Sequence, residues 1–376
     1  MTSTSQRLAA IRGGVEPARH NARTIAALTG NPGCARRAVL DCAGVDKQRL
    51  AAYVDYPARF GQSQFAITRG NVFEAQVKAN GCAELLGLLR DLLDLSVPEV
   101  SYDDLESVAG RESQDVRYSR AKALLTRAAA QADGAGTLFD HPLLRLEVAG
   151  QQAYLEPDLI AFQHDGLFHV VEIKSFAVID GQADSGKVAA AATQAAVYVL
   201  AMREMLGEAG YDPDVVSHDV VLVCPRDFSN RPMAVRVDVR KQLAVVRRQL
   251  TRMTRVDALL AELPADLTFD LAPDDKGVPT RSPASLIAAL EEVEARYSPE
   301  CLASCELAYL CRHEARGCTA ALGKAALEEM GGIDRVETAL AIARDQRAPA
   351  ADQHEAAELL RAAARLRAEL ISGVAG

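Results

Sequence analysis

Asp158, Glu172 and Lys174 fall within one stretch, EPDLIAFQHDGLFHVVEIKSF, whose residue types are those of strands. Two β-rich runs, EPDLIAF and LFHVVEIKSF, flank His164-Asp165-Gly166. If these three residues are a hairpin loop, with Gly166 at the left-handed position of a bulged turn, Gln163 meets Leu167 and Asp158 falls opposite Glu172. Glu172 and Lys174 are two apart, so they share a face. Two carboxylates and an ammonium then crowd one side of an otherwise apolar ribbon. Like charges directly opposed destabilise a hairpin, and burying them costs more still unless a cation compensates. Mg²⁺ or Mn²⁺ is the hard cation that such oxygens hold. Lys174 beside it could hold a water or a phosphate oxygen, and a site of this kind performs metal-assisted phosphodiester hydrolysis. The competing reading is an exposed hairpin with an ordinary Glu–Lys surface. A register slip of one residue would part the carboxylates.

The elements that must position these residues follow from pattern. A helix is expected from about Arg69 to Leu93, carrying Glu74. Strands are expected at LRLEVAG, QAYLEPDLIAF and LFHVVEIKS, then a long alanine-rich helix from about Lys187 to Leu206, capped by Asp184 or Ser185. Gln194 and Tyr198 lie at i and i+4 on that helix, sharing a face with Lys187 and Ala191. Strands follow at HDVVLVCP and MAVRVDV, and an arginine-rich helix from about Arg240 to Leu263. On it Arg240, Lys241, Arg247, Arg248, Arg252 and Arg255 fall largely on one stripe, either a track for a nucleic-acid backbone or a solvated face. DSGK, Asp184 to Lys187, lacks the upstream glycine of a phosphate loop and reads as a helix start. The tail, 320–372, reads as two or three amphipathic helices, which either pack on their own domain or bind a protein partner.

Cys301, Cys305, Cys311 and Cys318 crowd into eighteen residues, a density that points to metal. No CxxC pair occurs, which disfavours a zinc ribbon. Cys42, Cys82 and Cys224 read as buried apolar thiols.

Taken together, Pro157-Asp158 and Glu172-Ile173-Lys174, fourteen positions apart at the acids, resemble the PD-(D/E)XK nuclease motif. Arg69-Gly70-Asn71-Val72-Phe73-Glu74 resembles the helical motif of its RecB-like branch, with Glu74 where many relatives have His. Gln194 and Tyr198 resemble that branch's QxxxY motif. Cys34-Ala35-Arg36-Arg37, with Cys301, Cys305 and Cys311, resembles the cysteine pattern of CRISPR-associated and AddB-type iron–sulfur nucleases. Ala35 replaces the usual proline, and the first C-terminal gap, Cys301 to Cys305, has one extra residue, so Cys318 is an alternative to Cys301.

The resemblance implies a restriction-endonuclease-like α/β core, a mixed central sheet flanked by helices, with helical N- and C-terminal additions. It implies one or two Mg²⁺ or Mn²⁺ ions on Glu74, Asp158, Glu172 and the Ile173 carbonyl. Asp158, Glu172, Lys174, Gln194 and Tyr198 would be the catalytic set, with Lys187 and the basic stripe on DNA. It further implies a structural [4Fe–4S] cluster and action on single-stranded DNA or ends, exonuclease rather than endonuclease, in repair, CRISPR adaptation or phage defence. The expected segments are 1–65 with the first cluster cysteine, 66–240 as nuclease core, 241–320 with the remaining cysteines, and 321–376 as C-terminal helices. A non-catalytic DNA-binding or scaffold subunit on this fold, and a zinc-stabilised protein, are the alternatives.

Composition is compatible. The net charge of −9 argues against a polyanion-binding surface overall but leaves room for a local basic groove. Lysines number eight against thirty-four arginines, so a lysine within a strand is less expected as surface filler. The N-terminal stretch lacks a signal-peptide pattern and no run is long enough to span a bilayer, so a cytoplasmic protein with no membrane partner is expected.

Overall fold

The computed structural model describes residues 3–18, 20–31, 33–58, 64–93, 101–105, 112–130, 137–148, 151–164, 167–227, 229–253 and 256–374. Asp165 and Gly166 of the hairpin loop and Arg255 of the basic stripe lie outside them. The strands are β1 (Ser101–Asp104), β2 (Thr137–Asp140), β3 (Leu144–Val148), β4 (Gln151–Leu155), β5 (Leu159–His164), β6 (Leu167–Ile173), β7 (Asp219–Pro225) and β8 (Pro232–Asp238). The helices used below are α1 (Thr4–Arg12), α2 (Ala22–Leu28), α3 (Ala35–Ala43), α4 (Lys47–Tyr53), α5 (Gln64–Val77), α6 (Ala79–Leu93), α7 (Gln114–Ala130), α8 (Ser185–Glu208), α9 (Arg240–Met253), α10 (Val256–Glu262), α11 (Pro283–Glu291), α12 (Cys301–Ser304), α13 (Ala308–Glu314), α14 (Lys324–Glu329), α15 (Val336–Ala343) and α16 (His354–Val374).

The chain forms two units, one of Ala18–Thr29 and Gly61–Ala258, the other of Met1–Pro17, Gly30–Phe60 and Leu259–Gly376. This differs from boundaries at 65, 240 and 320. Residues 18–29 and 241–258 join the sheet, and the rest of the N-terminal segment joins the C-terminal third.

The first unit is a six-stranded mixed sheet in the order β1-β2-β5-β6-β7-β8, flanked by helices, with β3–β4 as a separate ribbon. The expected mixed α/β core is therefore what this chain forms. Strand alternation decides which side chain meets which layer. Val171, Ile173, Val221 and Val223 pack with Phe73 and Val77 of α5 and Leu85 and Leu89 of α6. The intervening Leu222 packs instead with Ala191 of α8. Glu172 pairs with Leu222 in the parallel β6–β7 ladder and so points to the α8 side. The β6–α8–β7 crossover places the C-terminal end of β6 beside that of β7, and the Lys174 N–H donates to the Val223 carbonyl at 2.8 Å.

Two local expectations change. The run QAYLEPDLIAF is two strands, β4 and β5, broken at Glu156–Asp158 because Pro157 cannot donate to a ladder. The expected helix over 69–93 is two, α5 and α6, broken at Asn80, Gly81 and Cys82, all left-handed (φ 54°, 64° and 62°). Asn and Gly tolerate that conformation, while a cysteine bears a cost of roughly 1–2 kcal/mol. The arginine-rich segment is helical as α9 and α10, and residues 254 and 255 between them lie outside the described residues.

In the second unit, α1 packs against α3, and the Phe269 N–H donates to the Ile11 carbonyl at 2.7 Å. α15 and α16 pair through Ile333, Ala339, Ile342 and Ala357. Among the described residues no helix is long and apolar enough to cross a membrane.

Candidate metal and thiol sites

The hairpin register settles where Asp158 and Glu172 lie. Leu159 pairs with Val171 and Ile160 with Val170, so the next position sets Asp158 against Glu172, as expected. At the loop end the expected Gln163–Leu167 pairing is wrong: His164 pairs with Leu167, and a bulge between Ala161 and His164 absorbs the extra residue. The Asp158 carboxylate turns back onto the strand end and accepts from the Ile173 N–H at 2.8 Å.

Glu172 is 0 % exposed. One of its oxygens pairs with the Lys174 ammonium. The other, Oε2, has no hydrogen-bond partner among the described residues. Burial, with Asp158 repelling from across the ribbon, pushes the Glu172 carboxyl up to about 8. Burial likewise raises Asp158, against the pull of Lys174. A buried carboxylate with an orphaned oxygen is costly. The hard oxygens of Asp158 and Glu172 and the carbonyl of Ile173 are a donor set that fits Mg²⁺ or Mn²⁺.

Glu74 approaches from α5, which passes the strand end where a Cβ on Gly70 would stand 3.9 Å from the Ser175 hydroxyl. Its carboxylate acts electrostatically on both Asp158 and Glu172. Oxygens from the three acids nevertheless do not come within 4.8 Å of one another as a group. Glu74 is drawn aside by Lys78, whose ammonium lies 2.6 Å from Glu74 Oε1, 2.7 Å from Asp140 Oδ1 and 2.9 Å from the Asp158 carbonyl. His141 bridges the same two acids, Nε2 to Glu74 at 3.3 Å and Nδ1 to Asp140 at 2.9 Å, and the Tyr102 hydroxyl donates to Asp140. Burial alone would raise Glu74 and Asp140. Hydrogen bonds from His141 and Lys78, joined by Tyr102 at Asp140, hold both at about 2. Asp140 first and Glu74 second raise His141 to about 10.

Sequence reasoning missed Lys78, Asp140 and His141. Lys78 stands one helical turn after Glu74 and is one of eight lysines, a signal that was present. Asp140 ends a four-residue strand, and His141 follows it, a pattern too short to read.

Gln194 and Tyr198 are brought together. Gln194 Nε2 donates to the Tyr198 hydroxyl at 3.0 Å, and that hydroxyl donates to the Glu156 carbonyl at 3.2 Å. The pair fixes the turn carrying Asp158; no hydrogen bond joins it to Lys174 among the described residues. Tyr198→Phe should therefore lose about 1–2 kcal/mol of stability by leaving that carbonyl unpaired, read from the urea midpoint. An unchanged midpoint would show that the contact holds nothing. Lys187 is exposed, its N–H capped by Asp184 Oδ1 at 2.9 Å. Arg240, Lys241, Arg247, Arg248 and Arg252 are exposed on α9. That helix begins beside His218, whose carbonyl accepts from the Val239 N–H at 3.0 Å, at the opposite end of the sheet from Glu172. Arg240 is engaged by Asp238.

His218, Asp219 and Asp238 bring one ligand atom each within 4.8 Å at that opposite end and could hold a divalent ion. They are partly or fully exposed, and Arg240 already neutralises Asp238.

In the second unit, Cys34 precedes α3, Cys301 opens α12, Cys305 ends it and Cys311 lies in α13. Cys305 and Cys34 both act on Cys311 electrostatically, and Tyr297 feels Cys301 and Cys311 together. Burial pushes Cys305 to about 11 and Cys311 to about 12. Positive groups surround them. Arg36 Nη1 donates to Cys311 Sγ at 3.4 Å and pairs with Glu314 at 2.6 Å. Asn31 donates to Cys301 Sγ at 3.2 Å. Arg37 is buried beside Cys305, and its Nη1 has no hydrogen-bond partner among the described residues. Cys318 instead accepts from Arg335 at 3.4 Å. Cys42, Cys82 and Cys224 are 0 %, 0 % and 2 % exposed, the buried apolar thiols expected.

Comparison with known proteins adds little. No family model matches the chain, and no curated protein matches it. Among solved structures, a crystal structure described as a "Putative exonuclease" from Eubacterium rectale aligns with 57 % of this chain and 80 % of its own, at 13 % identity and a TM-score of 0.27. A likeness at that level carries no argument.

Proposed function

We propose that this protein is a Mg²⁺- or Mn²⁺-dependent DNA nuclease of the RecB-like PD-(D/E)XK type, stabilised by a [4Fe–4S] cluster. One observation carries the catalytic half: Glu172, wholly buried at a strand end, has an oxygen without a partner, facing Asp158 and beside Lys174. A protein core does not retain such a charge without use for it. Asp158, Glu172 and the Ile173 carbonyl would hold the ion, with Glu74 as a third carboxylate. The bound ion would supply an acidified water and neutralise charge on the scissile phosphate. Lys174, anchored by its backbone bond to β7, would orient the attacking water and stabilise the oxyanion. Gln194 and Tyr198 hold the Asp158 turn in register, and α5 brings Glu74 to the strand end. Single-stranded DNA or ends are the proposed substrate, exonucleolytic cutting the proposed mode, and repair, CRISPR adaptation or phage defence the setting.

The cluster half rests on Cys34, Cys301, Cys305 and Cys311 lying among buried cations. Four thiolates on a [4Fe–4S] core form an anion, which would give Arg37 Nη1 an acceptor, its Nε already donating to Asp41 at 3.3 Å. Cys318, held by Arg335, is not included.

The test is cleavage of labelled single- and double-stranded DNA with and without Mn²⁺. Lys174→Ala and Glu172→Ala are expected to lower the rate at least ~10³-fold, the scale of removing a transition-state stabiliser, while keeping iron content unchanged. Undiminished metal-dependent cutting by either variant would end the proposal.

A further inference from the structure

Lys78 is an ammonium in a nest of oxygens. Three acceptors, Glu74 Oε1, Asp140 Oδ1 and the Asp158 carbonyl, lie 2.6 to 2.9 Å from Nζ. They arrive from α5, the end of β2 and the turn before β5. Such a donor set, two carboxylates and a backbone carbonyl, is what a hard divalent cation would otherwise take. Lys78 is placed there by the break after α5: the helix ends at Val77, and the left-handed turn at 80–82 follows at once.

Resting on the nuclease reading above, we infer that the site takes a single divalent ion, on Asp158 and Glu172, and that the Lys78 ammonium is a fixed, built-in cation where a second ion would sit. Charge supports this. Glu74, Asp140, Asp158 and Glu172 carry four negative charges; Lys78 and Lys174 remove two. One divalent ion balances the remainder, and a second would leave an excess in a largely buried site. Counting His141 as a cation only lessens the need for a second ion. Glu74 is then divided in duty, with Oε1 given to Lys78 and His141 and Oε2 available to the ion or to a water on it.

The test is Mn²⁺ binding by calorimetry and by the electron-paramagnetic signal of free Mn²⁺, on the full chain. All proteins carry Asp238→Asn, so that the exposed His218–Asp219–Asp238 group drops from the count. The expected stoichiometry is one ion for the parent, none for Glu172→Gln and two for Lys78→Ala, whose vacated oxygens accept the second ion. Lys78→Arg keeps the cation and should stay at one. If Lys78→Ala does not fold, Lys78→Gln replaces it with the same expectation of two. No ion in the parent would sink the nuclease reading itself. Two in the parent, or one in both Lys78→Ala and Lys78→Gln, would overturn the built-in cation and leave the nuclease reading standing.

Discussion

Glu172→Gln is expected to melt higher than the parent at pH 8 in the absence of divalent metal, while losing all cleavage. Burial first, and Asp158 second, hold the folded Glu172 carboxyl at about 8 against an ordinary 4.5. Between those values the folded protein keeps a proton that the unfolded chain has released. Stability is therefore fully present below about pH 4.5 and falls as pH rises through about 8. The shift corresponds to roughly 4 kcal/mol lost by pH 8, on the order of 10 °C in melting temperature for a unit of this size. Glutamine resembles the protonated acid and does not titrate, so its melting temperature lacks this decline. Divalent metal should close most of that gap. With Asp238→Asn in both proteins to remove the exposed group, Mn²⁺ at a hundredfold over its dissociation constant would stabilise the parent by about 2.7 kcal/mol and the variant not at all. Melting curves from pH 5 to 8.5, with EDTA and with Mn²⁺, read both effects. A variant less stable than the parent at pH 8 in EDTA would show that Glu172 is structurally content, and the metal reading would lose its support.

The same residue shows what could be read from spelling. Alternation along β6 fixed the face of Glu172, and a simple hairpin count set Asp158 against it. The count failed at the loop and held at the site because a bulge at 161–164 took up the difference locally. Sequence patterns carry pairing over a few residues. They carry little about charged groups that meet across elements far apart in the chain, as Lys78, Asp140 and His141 do, because each is an ordinary residue in its own window. The helix break at Asn80–Cys82 was hidden for a related reason: Asn-Gly is a turn signal in a strand context, but here it stands between two apolar helical segments. Unit membership was also not legible, since residues 18–29 leave the N-terminal segment to pack on α8 and α9, a choice made by tertiary packing.

Serine at Cys34, Cys305 or Cys311 should cost the second unit far more than any other single change there, while Cys318→Ser should be nearly silent. Two physical effects add. Cys34 and Cys301 are 267 positions apart, and closing so long a loop restricts the unfolded chain by about 5–6 kcal/mol in the chain-entropy picture. The buried cations are the second effect. Arg36 and Arg37 are 3 % and 5 % exposed and pair with Glu314 and Asp41, and without an anionic cluster the Arg37 Nη1 donor, left unsatisfied, would cost about 1–3 kcal/mol. Protein purified anaerobically should be brown, with about four iron and four sulfide per chain. Each of the three serine variants should lose colour and iron, and limited proteolysis should attack 259–376 first. Cys318→Ser should keep both, because Arg335 rather than the cluster engages that thiol. A single zinc ion would draw its sulfurs to about 3.8 Å of one another, and among the described residues no group of three cysteine sulfurs lies within even 4.8 Å. Colourless protein containing one zinc, with Cys318 essential and Cys34 dispensable, would reverse the assignment.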